Sequence, residues 1–160
     1  MSDEVAAYIA GFLDGDGSIM AQLISRKDYK FGFQIRVSIV FYQKTIHKEI
    51  LFWLKEQFQV GYIRNRNDGM TEYTITGLNE VEQVLSILRN KLRLKKQLAT
   101  EVRKIIRLHP KKMNAKSLIK LALLVDQTAK FNYSKKRTVT SETVIRFLND
   151  KKLFPVETSN

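Results

Sequence analysis

Two acidic residues near the start of the chain have the composition and the setting of a metal site. Residues 6–18 read AAYIAGFLDGDGS, so an apolar helix with small side chains runs directly into Asp14 and Asp16. The last turn of a helix carries partial negative charge and disfavours a carboxylate by roughly 0.3–1 kcal/mol. A divalent cation would offset both carboxylates, whereas the alternative interpretation is an ordinary Asp-Gly turn. An EF-hand calcium loop is excluded, because it needs glycine and glutamate where the chain has Ile19 and Ser25.

The helix that leads into these aspartates carries small residues at four-residue spacing. We predict that it runs from Asp3, as N-cap, to about Leu13. Two explanations of the spacing stay open: close packing against another helix of the same chain, or self-association of this helix across a two-fold axis. The small residues pair Ala6 with Ala10, and Ala7 with Gly11 and Gly15.

Alternation of apolar and polar residues predicts four strands arranged as two hairpins. The strands cover about residues 18–26, 33–43, 61–66 and 72–76, and helices cover about 3–13, 45–58, 79–88 and 94–109. The core order is therefore α-β-β-α-β-β-α. This order is an α+β fold in which helices cover one face of an antiparallel four-stranded sheet. We expect one domain over residues 1–160, with its core at about 3–108 and C-terminal helices at about 114–152.

The charge of the chain indicates a polyanionic partner. Its 160 residues include 28 lysines and arginines against 16 aspartates and glutamates, a formal net charge of +12. No apolar segment is long enough to span a bilayer, so we expect nucleic acid as partner and no membrane. The acidic start at Asp3 and Glu4 does not match a basic targeting peptide. The absence of cysteine excludes disulfides and thiol nucleophiles, and two histidines are too few for a histidine-rich metal centre.

The second face of the predicted sheet is polar and holds side chains that could contact nucleic acid. Amides, guanidinium groups, hydroxyls and carboxylates are the groups that read base edges in a major groove. A sheet face exposed only to water would also be polar, and that alternative stays open at this point. The pattern places on this face Gln22, Arg26, Asp28, Gln34, Arg36, Ser38, Arg64, Arg66 and Glu72.

The motif at residues 8–18 resembles the signature of the LAGLIDADG homing endonucleases. It reads YIAGFLDGDGS, with conservative apolar changes and with Gly15 where the family name has alanine. One copy of the motif implies a homodimer, and the family fold implies a saddle-shaped sheet. Further segments are similar to the single-motif, homodimeric members from algal chloroplast introns, namely residues 29–31, 43–45, 60–62, 92–95, 125–127 and 140–144.

The resemblance implies a homing endonuclease that makes a double-strand break in a long pseudo-palindromic DNA site by Mg²⁺-dependent phosphodiester hydrolysis. Asp16 would bind Mg²⁺ together with the backbone carbonyl of Gly15, and Mn²⁺ or Ca²⁺ would substitute for binding. By the same resemblance, Gln43 orders water and Lys95 stabilises charge near the scissile phosphate. His47 stands where a close relative has arginine, so it is either a weaker cation or an exposed helix residue. The alternative function is an RNA-binding maturase or a non-catalytic DNA-binding regulator.

We expect DNA contacts from the polar sheet face, both hairpin tips and a basic C-terminal loop. At about 3.3 Å per residue, the strand at 33–43 follows roughly ten base pairs in each half-site. The expected contacts are Gln22, Ile24, Arg26, Asp28, Tyr29, Gln34, Arg36, Ser38, Val40, Tyr42, Tyr62, Arg64, Arg66, Glu72, Thr74, Lys135 and Arg137. The dimer interface is expected at Ala7, Ala10, Gly11 and Asp14. The resemblance also implies an organelle, the chloroplast, as the location.

Overall fold

Helices and strands alternate in the order that the sequence predicts. The structure, a computed structural model, describes residues 1–132 and 137–154. The helices are α1 (Asp3–Asp16), α2 (Glu49–Phe58), α3 (Leu78–Leu88), α4 (Lys96–Leu108), α5 (Ala115–Gln127) and α6 (Ser141–Asp150), and the strands are β1 (Gly17–Ser25), β2 (Phe33–Lys44), β3 (Tyr62–Asn65) and β4 (Met70–Thr76). The α+β class and the core order α-β-β-α-β-β-α are therefore confirmed. In the described ranges, no helix combines the length and apolar character that crossing a bilayer requires.

The four strands form one antiparallel sheet in the spatial order β1-β2-β4-β3. The register pairs Gln22 with Arg36, so the polar side chains of β1 and β2 share one face. The alternate residues, such as Ile39 and Phe41, are fully buried on the opposite face. Helix α1 packs against both β1 and β2, α4 packs against β1, and α3 packs against β2. Helix α2 packs against β4. One sheet face is thus covered by helices, and the other is left for a partner.

Helix α1 is longer than the sequence predicted. Its N-cap is Ser2, whose hydroxyl accepts a hydrogen bond from the Val5 N–H at 3.3 Å, and Asp3 lies inside the first turn. At the other end the helix continues through both aspartates and stops only at Asp16. The chain then enters β1 directly at Gly17, where a Cβ would lie 2.5 Å from the Leu13 side chain. Asp16 is therefore the last helical residue, held at the junction between α1 and the sheet.

The second predicted helix starts later than expected. The sequence predicted a helix from about residue 45, with Thr45 as its N-cap, but residues Thr45–His47 form a 3₁₀ turn and α2 begins at Glu49. The Thr45 N–H donates to the Gly69 carbonyl at 2.9 Å, and its hydroxyl accepts from the Thr71 hydroxyl at 3.0 Å. Thr45 therefore joins the two hairpins and is not available as a helix cap.

The C-terminal helices share the apolar core of the sheet. Leu118, Val125 and Leu148 are buried in the same cluster as the residues of α1 and β2. The Phe147 ring from α6 meets the Phe33 ring of β2 edge-on, with 5.3 Å between centroids. Thr140 and Thr143 form a capping box at the start of α6, in which the Thr140 N–H donates to the Thr143 hydroxyl at 3.1 Å.

An ion pair joins α3 to α4. The Arg103 guanidinium donates to both carboxylate oxygens of Glu82 at 2.5–3.0 Å, and Arg103 is 8% exposed. These hydrogen bonds hold the pKa of Glu82 below its ordinary value of 4.5. Because the pKa is lower in the folded chain than in the unfolded one, ionised Glu82 stabilises the fold at neutral pH. That contribution is lost as the pH falls through the folded-state pKa.

We expect Glu82→Gln to lower the free energy of unfolding by about 1–3 kcal/mol at neutral pH, because a charged hydrogen-bond acceptor is lost. The difference from the unmodified chain should shrink below pH 4.5. Equilibrium denaturation at a series of pH values measures both effects. The control is Glu142→Gln, since Glu142 is 83% exposed and lies 3.7 Å from Arg146; this change should stay within about 0.5 kcal/mol. A pH-independent difference would contradict the role given to Glu82.

Candidate active site and nucleic-acid interface

Asp16 and Gly15 offer oxygen atoms to solvent at the end of α1. Both residues are exposed, and the space around the Gly15 Cα is open, with no heavy atom within 4 Å of a Cβ built there. In the described part of the chain, the Asp16 carboxylate forms no ion pair or hydrogen bond. A carboxylate at a helix C-terminus is electrostatically unfavourable. A positively charged ligand at Asp16 would therefore be electrostatically favourable.

Asp14, only two residues earlier, is buried and fully engaged. Its carboxylate accepts the backbone N–H groups of Arg93 at 2.6 Å, Leu94 at 3.2 Å and Lys95 at 2.9 Å. The sequence predicted α4 to begin near Leu94, but these N–H groups face Asp14 and the helix begins at Lys96. Asp14 thus fixes the segment before α4 against the end of α1.

The same contact places Lys95 beside Asp16. The Lys95 Nζ donates to the Asp14 backbone carbonyl at 2.5 Å, so an ammonium group covers the negative end of α1. Burial lowers the pKa of Lys95, and the carboxylates of Asp14 and Asp16 act in the opposite direction. The structure therefore brings together three groups of the predicted site: Asp14, Asp16 and Lys95.

Gln43 and His47 lie near the same edge of the sheet without contacting these groups. The register pairs Gly17 with Phe41, which puts Gln43 two residues beyond the point where α1 meets the sheet. The Gln43 side chain accepts a hydrogen bond from the Lys44 N–H at 2.9 Å. His47 is exposed in the 3₁₀ turn that follows β2. Their catalytic roles stay predictions.

The donor set of one chain suits a hard cation but does not complete its coordination. Carboxylate, carbonyl and water oxygens are the ligands that Mg²⁺ and Ca²⁺ prefer. Asp16 and the Gly15 carbonyl supply such oxygens on an exposed surface. Across residues 1–132 and 137–154, no group of three or more histidine, cysteine, aspartate or glutamate side chains is close enough to hold a metal ion. Water molecules, several of which Mg²⁺ usually retains, or groups of a ligand can complete the coordination.

The outer side of α1 is a flat row of small residues. Ala7, Gly11 and Gly15 are exposed, and a Cβ built at Gly11 meets no atom within 4 Å. Two residues assigned to the dimer interface from the sequence are corrected, because Ala10 is fully buried and Asp14 is 9% exposed within the chain's own core. A second copy could meet the exposed row but not those two side chains.

The polar sheet face holds most of the predicted DNA contacts. Arg36 donates to Gln22 at 3.4 Å across β1 and β2, and Arg64 pairs with Glu72 at 2.7 Å across β3 and β4. Alternation in the registers aligns on this face Gln22, Ile24, Gln34, Arg36, Ser38, Val40, Tyr42, Tyr62, Arg64, Glu72 and Thr74. Arg26, Asp28 and Tyr29 follow β1, and Arg66 follows β3, at the two hairpin tips.

Accessibility varies across this face more than the sequence suggested. Ser38, Val40 and Thr74 are only 3–6% exposed. They lie on β2 and β4, the two interior strands, so neighbouring strands flank them on both sides. Arg36 and Tyr62, by contrast, are exposed. The readily accessible donors are therefore the long side chains and those at the hairpin tips.

The predicted contacts in the C-terminal loop are only partly placed. Lys135 lies outside the described residues. The Arg137 guanidinium donates to the Val125 carbonyl at 2.6 Å and to the Thr128 hydroxyl at 3.0 Å, and burial lowers its pKa. Arg137, expected at the DNA, therefore also closes the end of α5, and its contact with DNA stays a prediction.

Asp68 was missed by reasoning from the sequence. It lies in the β3–β4 turn, for which the sequence predicted only a hairpin connection. In the structure its carboxylate forms an ion pair with Arg66 at 2.7 Å. A signal was present, because Arg66 and Asp68 repeat the two-residue spacing of Arg26 and Asp28. The Asp14 clamp on residues 93–95 had no such signal, since its partners are 79–81 positions away in the chain.

The two aspartates of the motif should differ in their effect on stability. We expect Asp14→Asn to lower the free energy of unfolding by about 1.5–3 kcal/mol, because backbone N–H groups lose a charged acceptor. Asp16→Asn should change it by less than about 1 kcal/mol, because the unfavourable charge at the helix end and its attraction to Lys95 are removed together. Chemical denaturation of the metal-free protein measures both values. Equal effects of the two substitutions would contradict the assigned division between a structural and an exposed carboxylate.

Sequence comparison identifies relatives along most of the chain. The family profile described as LAGLIDADG endonuclease matches residues 9–101. The DNA endonuclease I-CvuI of Chlorella vulgaris is 38% identical over 138 residues, which is 86% of each chain. The DNA endonuclease I-CreI of Chlamydomonas reinhardtii is 37% identical over 142 residues, 88% of this chain and 86% of the relative.

Solved structures agree with this relationship. The crystal structure of I-CvuI in complex with its target and 2 mM Ca superposes with a TM-score of 0.91 at 35% identity, covering 95% of this chain and 97% of that one. The DNA complex of the archaeal intron-encoded I-Vdi141I has a TM-score of 0.83 at 20% identity, which supports the fold alone. The matched profile, the relatives and the motif at the end of α1 together show that this chain belongs to the LAGLIDADG endonuclease family.

Proposed function

We propose that the chain acts as a homodimeric homing endonuclease that makes a double-strand break in a long pseudo-palindromic DNA site. The observation that carries this proposal is the pairing of an exposed Asp16 with a fixed Lys95 at the end of a flat, small-residue helix face. The relatives I-CvuI and I-CreI are DNA endonucleases, and I-CvuI binds target DNA in structures that contain Mg or Ca. The net charge of +12 fits a polyanionic substrate.

Asp16 and the Gly15 carbonyl are the groups that would hold the Mg²⁺ of this reaction. When bound there, the cation would supply a lowered pKa for the attacking water and positive charge for the leaving oxygen. Lys95 offers a positive charge to the scissile phosphate from the same helix end, and Asp14 keeps its backbone in place. The Gln43 amide, beyond the α1–β1 junction, would bind and orient water. All of these groups lie close to the junction between α1 and the sheet.

Dimerisation explains why one chain provides an incomplete set of metal ligands. Two copies joined along Ala7 and Gly11 would place two α1 C-terminal ends, and two Asp16 carboxylates, next to one axis. Two carboxylates that close to each other would repel, so the binding of cations between them would be favourable. The two-fold axis also gives each sheet an equivalent half-site, which accounts for a pseudo-palindromic target.

We further place the protein in an organelle, the chloroplast, in keeping with relatives from Chlorella vulgaris and Chlamydomonas reinhardtii.

We expect Asp16→Asn to reduce Mg²⁺-dependent cleavage by at least about a hundredfold, equivalent to about 2.7 kcal/mol of activation free energy. Binding of the same DNA in Ca²⁺ should change little, because the sheet contacts stay intact. The substrate is the site that the unmodified protein selects from a library of randomised sites, and cleavage is followed on gels. Asp150→Asn on α6 makes the same charge change elsewhere and should leave the rate unaltered. Retained cleavage by Asp16→Asn would overturn the metal assignment.

Gly11→Leu should prevent dimerisation without unfolding the chain. The side chain enters open space in the single chain, and leucine favours the helix more than glycine does. Analytical ultracentrifugation should therefore show monomer for this variant and dimer for the unmodified protein. The control Gln83→Leu adds the same side chain on the exposed surface of α3 and should stay dimeric. A dimeric Gly11→Leu protein would exclude the proposed α1 interface.

A further inference from the structure

The two hairpin tips beside the polar face carry the same arrangement of arginine and aspartate. Arg26 and Asp28 follow β1, and Arg66 and Asp68 follow β3, each pair separated by one residue. In both pairs the arginine Nη2 contacts the aspartate Oδ2, at 2.8 Å and 2.7 Å. The same contact between an arginine and an aspartate therefore occurs at two independent turns, which suggests that both aspartates act on the arginine in the same way.

Arg26 is held on three sides. Asp28 accepts hydrogen bonds from Nε at 2.9 Å and from Nη2 at 2.8 Å, so the pair is bidentate. Gln34 accepts a hydrogen bond from Nη1 at 3.3 Å, and the Tyr29 ring centroid lies 5.1 Å from the guanidinium carbon. A guanidinium has five N–H groups, so one N–H on each terminal nitrogen stays available. Those two donors are the ones that can face a ligand.

Arg66 is held by a carboxylate that is itself fixed. The Asp68 Oδ1 accepts the Met70 N–H at 3.2 Å while its Oδ2 contacts the arginine. A second carboxylate, from Glu72, lies 3.9 Å from the Arg66 Nη1. The orientation of this guanidinium is thus set by the β3–β4 turn and by β4.

Stability does not account for these pairs. The side chains of Arg26 and Asp28 are 42% and 64% exposed, and those of Arg66 and Asp68 are 41% and 50% exposed. Ion pairs this exposed contribute little to folding. Their hydrogen bonds do raise the pKa of Arg26 and lower that of Asp28, so both groups stay charged at neutral pH. What the carboxylates provide is a fixed direction for each arginine.

We propose that Asp28 and Asp68 are positioning residues that give the enzyme specificity for guanine at the base pairs faced by Arg26 and Arg66. This inference rests on the proposed function, because it needs DNA on the polar sheet face. Two parallel N–H donors match the O6 and N7 acceptors of guanine in the major groove. A freely rotating arginine can also bind phosphates, and such contacts carry no direct sequence information. Asp28, expected from the sequence to contact DNA, acts here through Arg26.

The test is cleavage selection from a DNA library in which each position of the half-site is randomised. Arg26→Lys keeps the charge but loses the planar fork, so the base pair whose guanine preference it abolishes is the one that Arg26 reads. Asp28→Asn should lower discrimination at that same base pair by about fivefold or more, the equivalent of losing one bidentate contact. Asp68→Asn should act in the same way at the base pair identified by Arg66→Lys.

Affinity for random-sequence DNA distinguishes orientation from a general loss of binding. It should stay the same or rise in Asp28→Asn, because a negative charge beside the phosphates has been removed. In an Arg26→Lys background, Asp28→Asn should have no further effect on base preference, since there is no guanidinium left to orient. Glu142→Gln, which breaks an even more exposed ion pair on α6, is the control and should preserve every preference.

Two results would overturn the inference. The first is an unchanged base preference in both aspartate variants, together with active unmodified enzyme. The second is a preference lost equally at all positions in a variant whose thermal unfolding is unchanged, because the aspartate would then act on DNA binding in general and not on one arginine. Absence of cleavage by the unmodified protein on any selected DNA would reject the proposed function itself, and this inference with it.

Discussion

The Asp14 carboxylate is the contact on which the candidate active site depends. It ties the last turn of α1 to the backbone of residues 93–95, and the same contact delivers Lys95 to the helix end. Segments that are nearly eighty positions apart in the chain are thereby joined within hydrogen-bond distance. Because the carboxylate is buried and binds several N–H groups, this junction has little freedom to move. Asp16 and Lys95 consequently keep a defined relation even though Asp16 is exposed and Lys95 is only half-buried.

The second constraint is the alternation of the sheet, which separates stability from recognition. Apolar residues such as Ile39 are buried under the helices, so the positions between them are released for contacts with a partner. Burial of Ser38 and Thr74 shows that the interior strands offer fewer accessible groups than alternation alone suggests. Recognition therefore falls mainly to long side chains and to the hairpin tips. The oriented arginines at both tips fit that division.

Much of this arrangement could be predicted from the sequence, for physical reasons. Period-two alternation at 33–43 fixes which side chains share a face, and the small residues of α1 identify a surface for close approach. Long-range contacts were not predictable, because they leave no local pattern in the sequence. Examples are the hydrogen bonds of Asp14 to residues 93–95, those of Thr45 between the hairpins, and those of Arg137 at the end of α5. Ala10 was misplaced because a four-residue spacing marks two adjacent rows of a helix, and only packing decides which row is buried.

Asp14 and Asp16 show how one short motif can combine opposite demands. Both carboxylates occupy the last turn of a helix, where negative charge is unfavourable. Asp14 compensates by accepting N–H groups from another segment, and so contributes to stability. Asp16 accepts no such N–H groups within the described chain, although the Lys95 ammonium lies beside it; a bound cation would stabilise its charge further. An exposed carboxylate held next to one that is buried and fully hydrogen-bonded is the arrangement expected where folding provides the scaffold and a bound ligand would add stabilisation.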